Sequence, residues 1–247
     1  MRGSRERLAA LLWERSAEEQ ARASLRQTLS EVRKALGAGA DGLLDADVDC
    51  VWLDCERVNS DVAEFERLAG SSEVDDLEGA LDIWSGEFLD GFTVRSAQVF
   101  EDWLTAERSR LHTLWLKTSD AFLEQTIVQG RTELGIETAR RALESEPLRE
   151  PAHRALMRLL SAQGNRAGAL EQYEQCRALL EQELGASPDA ETETLAELIR
   201  GDALPRAPSE NVAREPAPHP PERPSIAVLP FQNLSGDREQ DYFSDGI

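Results

Sequence analysis

Six polar side chains between positions 22 and 34 have the types and spacing to do chemistry. Arg22, Arg26, Ser30 and Arg33 recur at helical intervals, with Gln27 and Lys34 at their flanks. On a helix they form one strip, turned away from an apolar seam of Leu25, Leu29, Val32 and Leu36. Guanidinium and amide groups on an exposed helical face anchor phosphates and read base edges in a major groove. The same residues also suit a plain solvated helix face, and the strip alone leaves both readings open.

Other chemistry finds little support. The sequence has no Gly-x-Ser-x-Gly elbow, no phosphate loop ending in Gly-Lys-Ser/Thr and no Cys and His pairing. Abundant carboxylates in an acidic chain do not define an acid/base pair. Cys50, Cys55 and Cys176 are too few and too badly spaced for a disulfide framework or a metal knuckle, and read as reduced packing residues. His112 and His153 fall within helical patterns and His219 in a Pro-rich stretch, so no pair has metal-ligand spacing. The expectation is a non-enzyme that binds no metal and no cofactor.

The elements that must position the strip can be traced on both sides of it. Over residues 5–14, Leu8, Leu11 and Leu12, with Trp13 alongside, make an apolar helical stripe. Ser16 with Glu19 forms a capping-box pattern ahead of a second helix, and Gly37 stops that helix. Leu43-Leu44-Asp45, a turn through Asp47, and Cys50-Val51-Trp52-Leu53-Asp54 then read as a hairpin. Its tip, Asp45-Ala46-Asp47-Val48-Asp49, carries charge expected to repel DNA phosphates.

Charge and composition divide the 247 residues further. The net charge of −20 argues against a whole-chain coating of nucleic acid, because phosphate binding needs local positive potential. Residues 1–40 carry eight basic and five acidic side chains, whereas residues 41–102 carry three basic and eighteen acidic. No apolar run approaches the roughly 18 residues of a spanning helix, and the amino end lacks a signal-peptide pattern, so a cytoplasmic protein without a membrane partner is expected. Seven of the eleven prolines fall within residues 201–224, which read as an extended linker. The tail that follows opens with SIAVLPF, suited to a buried strand, and reads as the start of a domain this chain does not finish.

The body between hairpin and linker contains a repeat. Gly130, Gly135, Ala139 and Ala142 recur 34 residues later as Gly164, Ala169, Tyr173 and Cys176, the period of tetratricopeptide helix pairs. Pro147 ends the first unit. The second helix of the second unit runs through Leu180 and Leu184 to Gly185, and Pro188 opens another helix with Ser187 as its cap. Residues 77–84 and 99–123 look helical, with Trp84, Trp103, Trp115 and Phe122 as packing residues. Arg140, Arg141, Arg154 and Arg158 read as solvated faces.

These segments together resemble one family. RERLAALLW, ARASLRQTLSEVRKALG and the hairpin are similar to the DNA-binding domain of SARP-type bacterial transcriptional activators, whose second helix enters the major groove. The resemblance implies Arg22, Arg26, Gln27, Ser30, Arg33 and Lys34 as DNA contacts. It also implies a small sheet and a helix ahead of residue 5, so that the unit reads as incomplete at its amino end. The run from Val62 through WSGEFLDGF, FEDWLTAERSRL and PLREPAHRALMRLLSAQGNRAGALEQYEQCRALLEQELGASP resembles the bacterial transcriptional activator domain of the same family. That resemblance implies homodimerisation or contact with RNA polymerase. PSIAVLPFQNLSGDREQDYFSDGI resembles the opening of a TolB-like domain.

The fold expected is mainly α, a truncated winged helix-turn-helix (residues 1–56) followed by a tetratricopeptide-like helical repeat domain (57–200), a linker (201–224) and the start of a TolB-like domain (225–247). The function expected is transcriptional regulation through double-stranded promoter DNA. Two alternatives remain: a helical-repeat interaction module, or the regulatory head of a larger sensor chain, that has lost DNA binding.

Overall fold

A computed structural model describes residues 2–54, 56–94 and 96–202, so His219, the linker from residue 203 and the TolB-like stretch lie outside the described residues. The chain runs β1 (Arg2–Ser4), α1 (Arg5–Leu12), α2 (Glu18–Leu36), β2 (Leu44–Ala46) and β3 (Cys50–Leu53). Seven helices follow: α3 (Asp61–Ala69), α4 (Val74–Ile83), α5 (Gln98–Gln129), α6 (Thr132–Ser145), α7 (Glu150–Ala162), α8 (Arg166–Leu184) and α9 (Ala190–Arg200).

The hairpin forms as the sequence implies, and β1 completes its sheet from the other side. The strand order is β1-β3-β2, both pairings antiparallel, with Gly3 and Ala46 each opposite Val51. Three residues, Arg-Gly-Ser, carry no alternation from which a strand could be read, and only the pairing with β3 makes them one. Ser4 passes directly from strand to cap, its hydroxyl accepting from the Arg7 N–H. Leu44 and Val51 on the inner face of the sheet close a core with Ala9, Ala21, Leu25 and Leu29, against which Leu8 and Trp13 pack.

Two expectations for α2 need correction. The Ser16–Glu19 capping box does not form: the cap residue is Ala17, with no side-chain bond. Ser16 is drawn into the preceding turn, its N–H donating to the Trp13 carbonyl at 3.0 Å, one position too early for its hydroxyl to serve the helix. The apolar seam is also only half used, since Leu25 and Leu29 are buried while Val32 and Leu36 are 40% and 43% exposed. Strands of three and four residues span about 10–13 Å. The 19 residues of α2 span about 28 Å, so the sheet covers only part of the helix.

In the body, α5 and α6 form one helical hairpin and α7 and α8 the next. Gly130 (φ +73°) and Gly164 (φ +81°) turn the chain at equivalent places, 34 residues apart, in the left-handed region. Gly135 lets α6 approach its neighbours closely: a Cβ there would lie 2.8 Å from Thr126 Oγ1 and 2.9 Å from Leu159 Cδ1. Its repeat counterpart Ala169, like Ala139, is fully buried. Leu123, Ile136, Leu156, Leu159, Tyr173 and Leu195 build the core of this region, and Phe65, Leu77, Trp115 and Phe122 a second core beneath α3 and α4. α9 begins later than expected. Its cap is Asp189, which accepts from Thr192 N–H at 2.8 Å, rather than Ser187.

Arg140 and Arg158 are exposed, but Arg141 and Arg154 are structural clamps rather than solvated groups. The Arg141 guanidinium donates to the Leu81 and Trp84 carbonyls at 3.2 and 3.3 Å, tying α6 to the end of α4. Arg154, its side chain 13% exposed, donates to Asp189 at 2.7 Å and Thr192 Oγ1 at 3.1 Å and fastens α7 to the start of α9.

Candidate nucleic-acid interface

The structure brings most of the proposed contact residues onto the outer face of α2. Arg22, Arg26, Gln27, Ser30 and Lys34 are all exposed. Burial of Ala21, Leu25 and Leu29 against the sheet turns the opposite face outward, as a 3.6-residue period requires. Their chemical states differ. Arg22 is ion-paired with Glu18 at 2.5 Å, and Gln27 donates to Glu31 at 3.0 Å. The side chains of Arg26 and Lys34 make no hydrogen bond or ion pair among the described residues.

Arg33 stands apart from the strip. It is half-buried, and its Nε donates to the Leu44 carbonyl at 3.2 Å, joining the last turns of α2 to β2. The bond holds the helix on the hairpin.

An open groove of about 940 Å³ lies between the start of α1, the amino-terminal half of α2 and the hairpin tip. Arg5, Arg22 and Arg26 line it, balanced by Glu6, Glu19 and Asp49. The groove as a whole is therefore close to neutral.

The hairpin tip is acidic but not bare. Asp47 Oδ1 accepts from the N–H groups of Asp49 at 2.8 Å and Cys50 at 2.6 Å and so builds the turn. Those backbone bonds, Cys50 first, hold the Asp47 carboxyl below the usual carboxylate range. Arg2 pairs with the same carboxylate at 3.3 Å, and Arg5 donates to the Asp47 carbonyl at 2.7 Å. Sequence reasoning missed both arginines, because their link to the tip depends on the unforeseen β1. Val48, 90% exposed, is the outermost apolar group of the tip.

A second junction lies behind α2. In the turn before it, Glu14 Oε1 accepts from Gln98 N–H at 3.0 Å and Oε2 from Val99 N–H at 2.9 Å, at the start of α5. Leu11 and Leu12 pack with Ala97, Phe100 and Leu104. The stripe read as one face of α1 thus serves two cores.

Among the described residues no three His, Cys, Asp or Glu side chains are grouped to hold a metal ion, and no helix is long and apolar enough to cross a membrane.

Comparison with known proteins gives these features a context. The family model described as "Bacterial transcriptional activator domain" matches residues 53–200. The regulatory protein AfsR of Streptomyces coelicolor is 29% identical over 186 residues, 72% of this chain and 18% of that protein. AfsR of Streptomyces griseus is 27% identical over 218 residues, 83% of this chain and 21% of that one. A putative adenylate cyclase 3 of Rhizobium meliloti is 68% identical over 37 residues, 15% of this chain and 6% of its own. The chain thus spans about a fifth or less of the length of these relatives. Among solved structures, Mycobacterium tuberculosis EmbR in complex with a low-affinity phosphopeptide superposes with a TM-score of 0.58 at 24% identity, over 83% of this chain and 56% of that one. The likeness to EmbR is one of fold.

Proposed function

The chain belongs to the bacterial transcriptional activator domain family, and from that premise we propose that it is a transcriptional regulator of the SARP type that reads promoter DNA with α2. In this reading residues 1–56 act as a winged helix. α2 enters the major groove, with Arg22, Arg26, Gln27, Ser30, Arg33 and Lys34 as its DNA-facing set and the β2–β3 hairpin as the flanking wing. Residues 57–200 form the helical-repeat domain, which supplies protein contacts to a second copy or to RNA polymerase. Residues 201–224 are a linker to a TolB-like segment at 225–247.

The observation that carries the proposal is the exposed cationic face of α2, with Arg26 and Lys34 unpaired among the described residues, backed by a sheet that holds the helix from behind. Arginine at such a position can take guanine O6 and N7 bidentately, while phosphate contacts fix the register. Arg33 is assigned a supporting part: its Nε is engaged with Leu44, leaving only its remaining N–H groups for a phosphate.

The test is selection of the purified chain against a pool of random duplexes, followed by anisotropy titration of the enriched sequence between about 50 and 200 mM salt. The expected result is an enriched motif whose affinity falls steeply with salt. A pool that stays random after repeated rounds at low salt refutes DNA reading and favours the interaction-module alternative.

A further inference from the structure

The start of α5 is capped from a distance. Its own cap residue, Ala97, offers no side-chain acceptor. The two N–H groups of Gln98 and Val99 instead go to the Glu14 carboxylate, 84 and 85 positions away in sequence. Glu14 lies in the short turn between α1 and α2, its side chain 18% exposed. The first N–H groups of a helix have no partner within the helix, and a carboxylate there meets both their hydrogen bonding and the positive end of the dipole.

Apolar contact reinforces the bond. Leu11 and Leu12 enter a cluster made by Ala97, Phe100 and Leu104 of α5 and its approach, with Phe88, Val94 and Trp103 around it. The wall of this socket is fixed. Arg108 donates to the Phe88 and Leu89 carbonyls at 2.8 and 2.6 Å, and Glu101 accepts from Val94 N–H at 2.8 Å. Leu89 (φ +51°) and Ser96 (φ +62°) are held in left-handed conformations that a free loop would leave.

We infer that Glu14 is a positioning residue: its carboxylate fastens the turn ahead of α2 to the first turn of α5, so that α2 and the helical repeat move as one body. The 32 residues of α5 extend about 48 Å, from this junction to the Gly130 turn that opens the repeat. A partner that shifts the repeat would therefore carry α2 with it. The consequence for DNA recognition rests on the reading of α2 proposed above, but the coupling itself does not.

The experiment is accordingly done without DNA. Residual dipolar couplings are measured on the full chain for amides of α2 and of α7 and α8. In the unmodified chain both sets fit one alignment tensor. In Glu14→Ala the two sets require different tensors, while the shifts of Leu25, Leu29 and Val51 remain those of the folded small unit. Exchange of the Gln98 and Val99 amides rises about tenfold or more, as loss of charge-assisted bonds implies. Glu14→Gln, which keeps the shape but loses the charge and one acceptor oxygen, falls between, and is the variant read if Glu14→Ala unfolds the small unit. A single tensor in a folded variant whose 98 and 99 amides nevertheless exchange faster overturns the inference, because Glu14 is then a helix cap and nothing more. Failure to bind any duplex leaves this outcome untouched.

Discussion

Arg22 and Arg26 stand one helical turn apart on the same face, yet they are expected to contribute unequally to DNA binding. The Arg26 side chain has no partner among the described residues, so it gives up only water when its N–H groups meet a base or phosphate. Arg22 must first leave Glu18, 2.5 Å away. An exposed i,i+4 pair on a helix is worth about 0.3–0.5 kcal/mol. A good bidentate base contact is worth about 1–3 kcal/mol, roughly 5- to 150-fold in affinity. Arg26→Ala should thus weaken binding to the selected duplex by roughly 5- to 150-fold, and Arg22→Ala by about twofold less. Glu18→Ala should strengthen binding by about twofold at low salt, since it frees Arg22 and removes a carboxylate facing phosphates, and the gain should fade as salt screens exposed charges. The assay is fluorescence anisotropy at several salt concentrations. If Arg26 touches a phosphate rather than a base, the slope of log K against log salt drops by about 0.9 in Arg26→Ala and the loss is the same on a scrambled duplex. An Arg22→Ala effect equal to or larger than that of Arg26→Ala, or weaker binding by Glu18→Ala, would refute the reasoning that pairing state ranks these residues.

Three further outcomes concern the body. Gly135→Ala brings a Cβ to 2.8 Å from Thr126 Oγ1 and 2.9 Å from Leu159, so despite alanine's better helix propensity the urea midpoint should fall, by about 1–2 kcal/mol in unfolding free energy; a gain would show that α6 can move away. His153 is buried, its Nε2–H donating to the Pro147 carbonyl at 2.8 Å, and burial lowers its pKa below 6.5. The folded chain disfavours the proton, so this contribution to stability is full above about 6.5 and is lost as the pH falls from there through the lower folded value. The midpoint should drop between pH 7.5 and 5 more in the parent than in His153→Gln, and equal drops would exclude His153 as the source. Burial pushes the Cys176 thiol up to about 11, leaving about one part in a thousand as thiolate at pH 8. A thiol reagent should modify Cys176 only after denaturant is added, and prompt modification in the native chain would contradict its burial.

The features legible in the sequence are those that depend on near neighbours. A 3.6-residue period sufficed for the outward face of α2, and the 34-residue recurrence of Gly130 and Gly164 for the two helical hairpins, because turn glycines and buried small residues are selected position by position. What could not be read depends on partners far along the chain. β1 exists only through β3, nearly fifty residues on. Leu8 and Trp13 look equivalent to Leu11 and Leu12 in a helical stripe, yet they enter different cores because α5 arrives from the side. Arg141 and Arg154 look like surface cations until the carbonyls of α4 and the carboxylate of Asp189 are folded onto them. Local capping rules failed at Ser16 and Ser187 for a related reason: each signal was present, but a neighbouring turn or a better-placed Asp189 set the boundary.

The distribution of charge bears on how such a protein would find its site. With −20 overall and −13 in residues 57–200, the body would be repelled by a duplex, and the groove beside α2 is balanced by Glu6, Glu19 and Asp49. Sequence-independent affinity grows with every neutralised phosphate. A chain with so few unpaired cations on its reading face would therefore bind random DNA weakly and depend on the base contacts of α2 for retention. Arg2 and Arg5, folded over the hairpin tip, offset part of the acidic charge where a wing would approach the backbone. Weak individual binding gives pairing of copies, or an added protein contact through the repeat, leverage over occupancy, since a second linked contact raises avidity without any new base being read. That leverage requires α2 to be held at a set orientation relative to the repeat, and the Glu14 carboxylate on α5 is the contact that would hold it there.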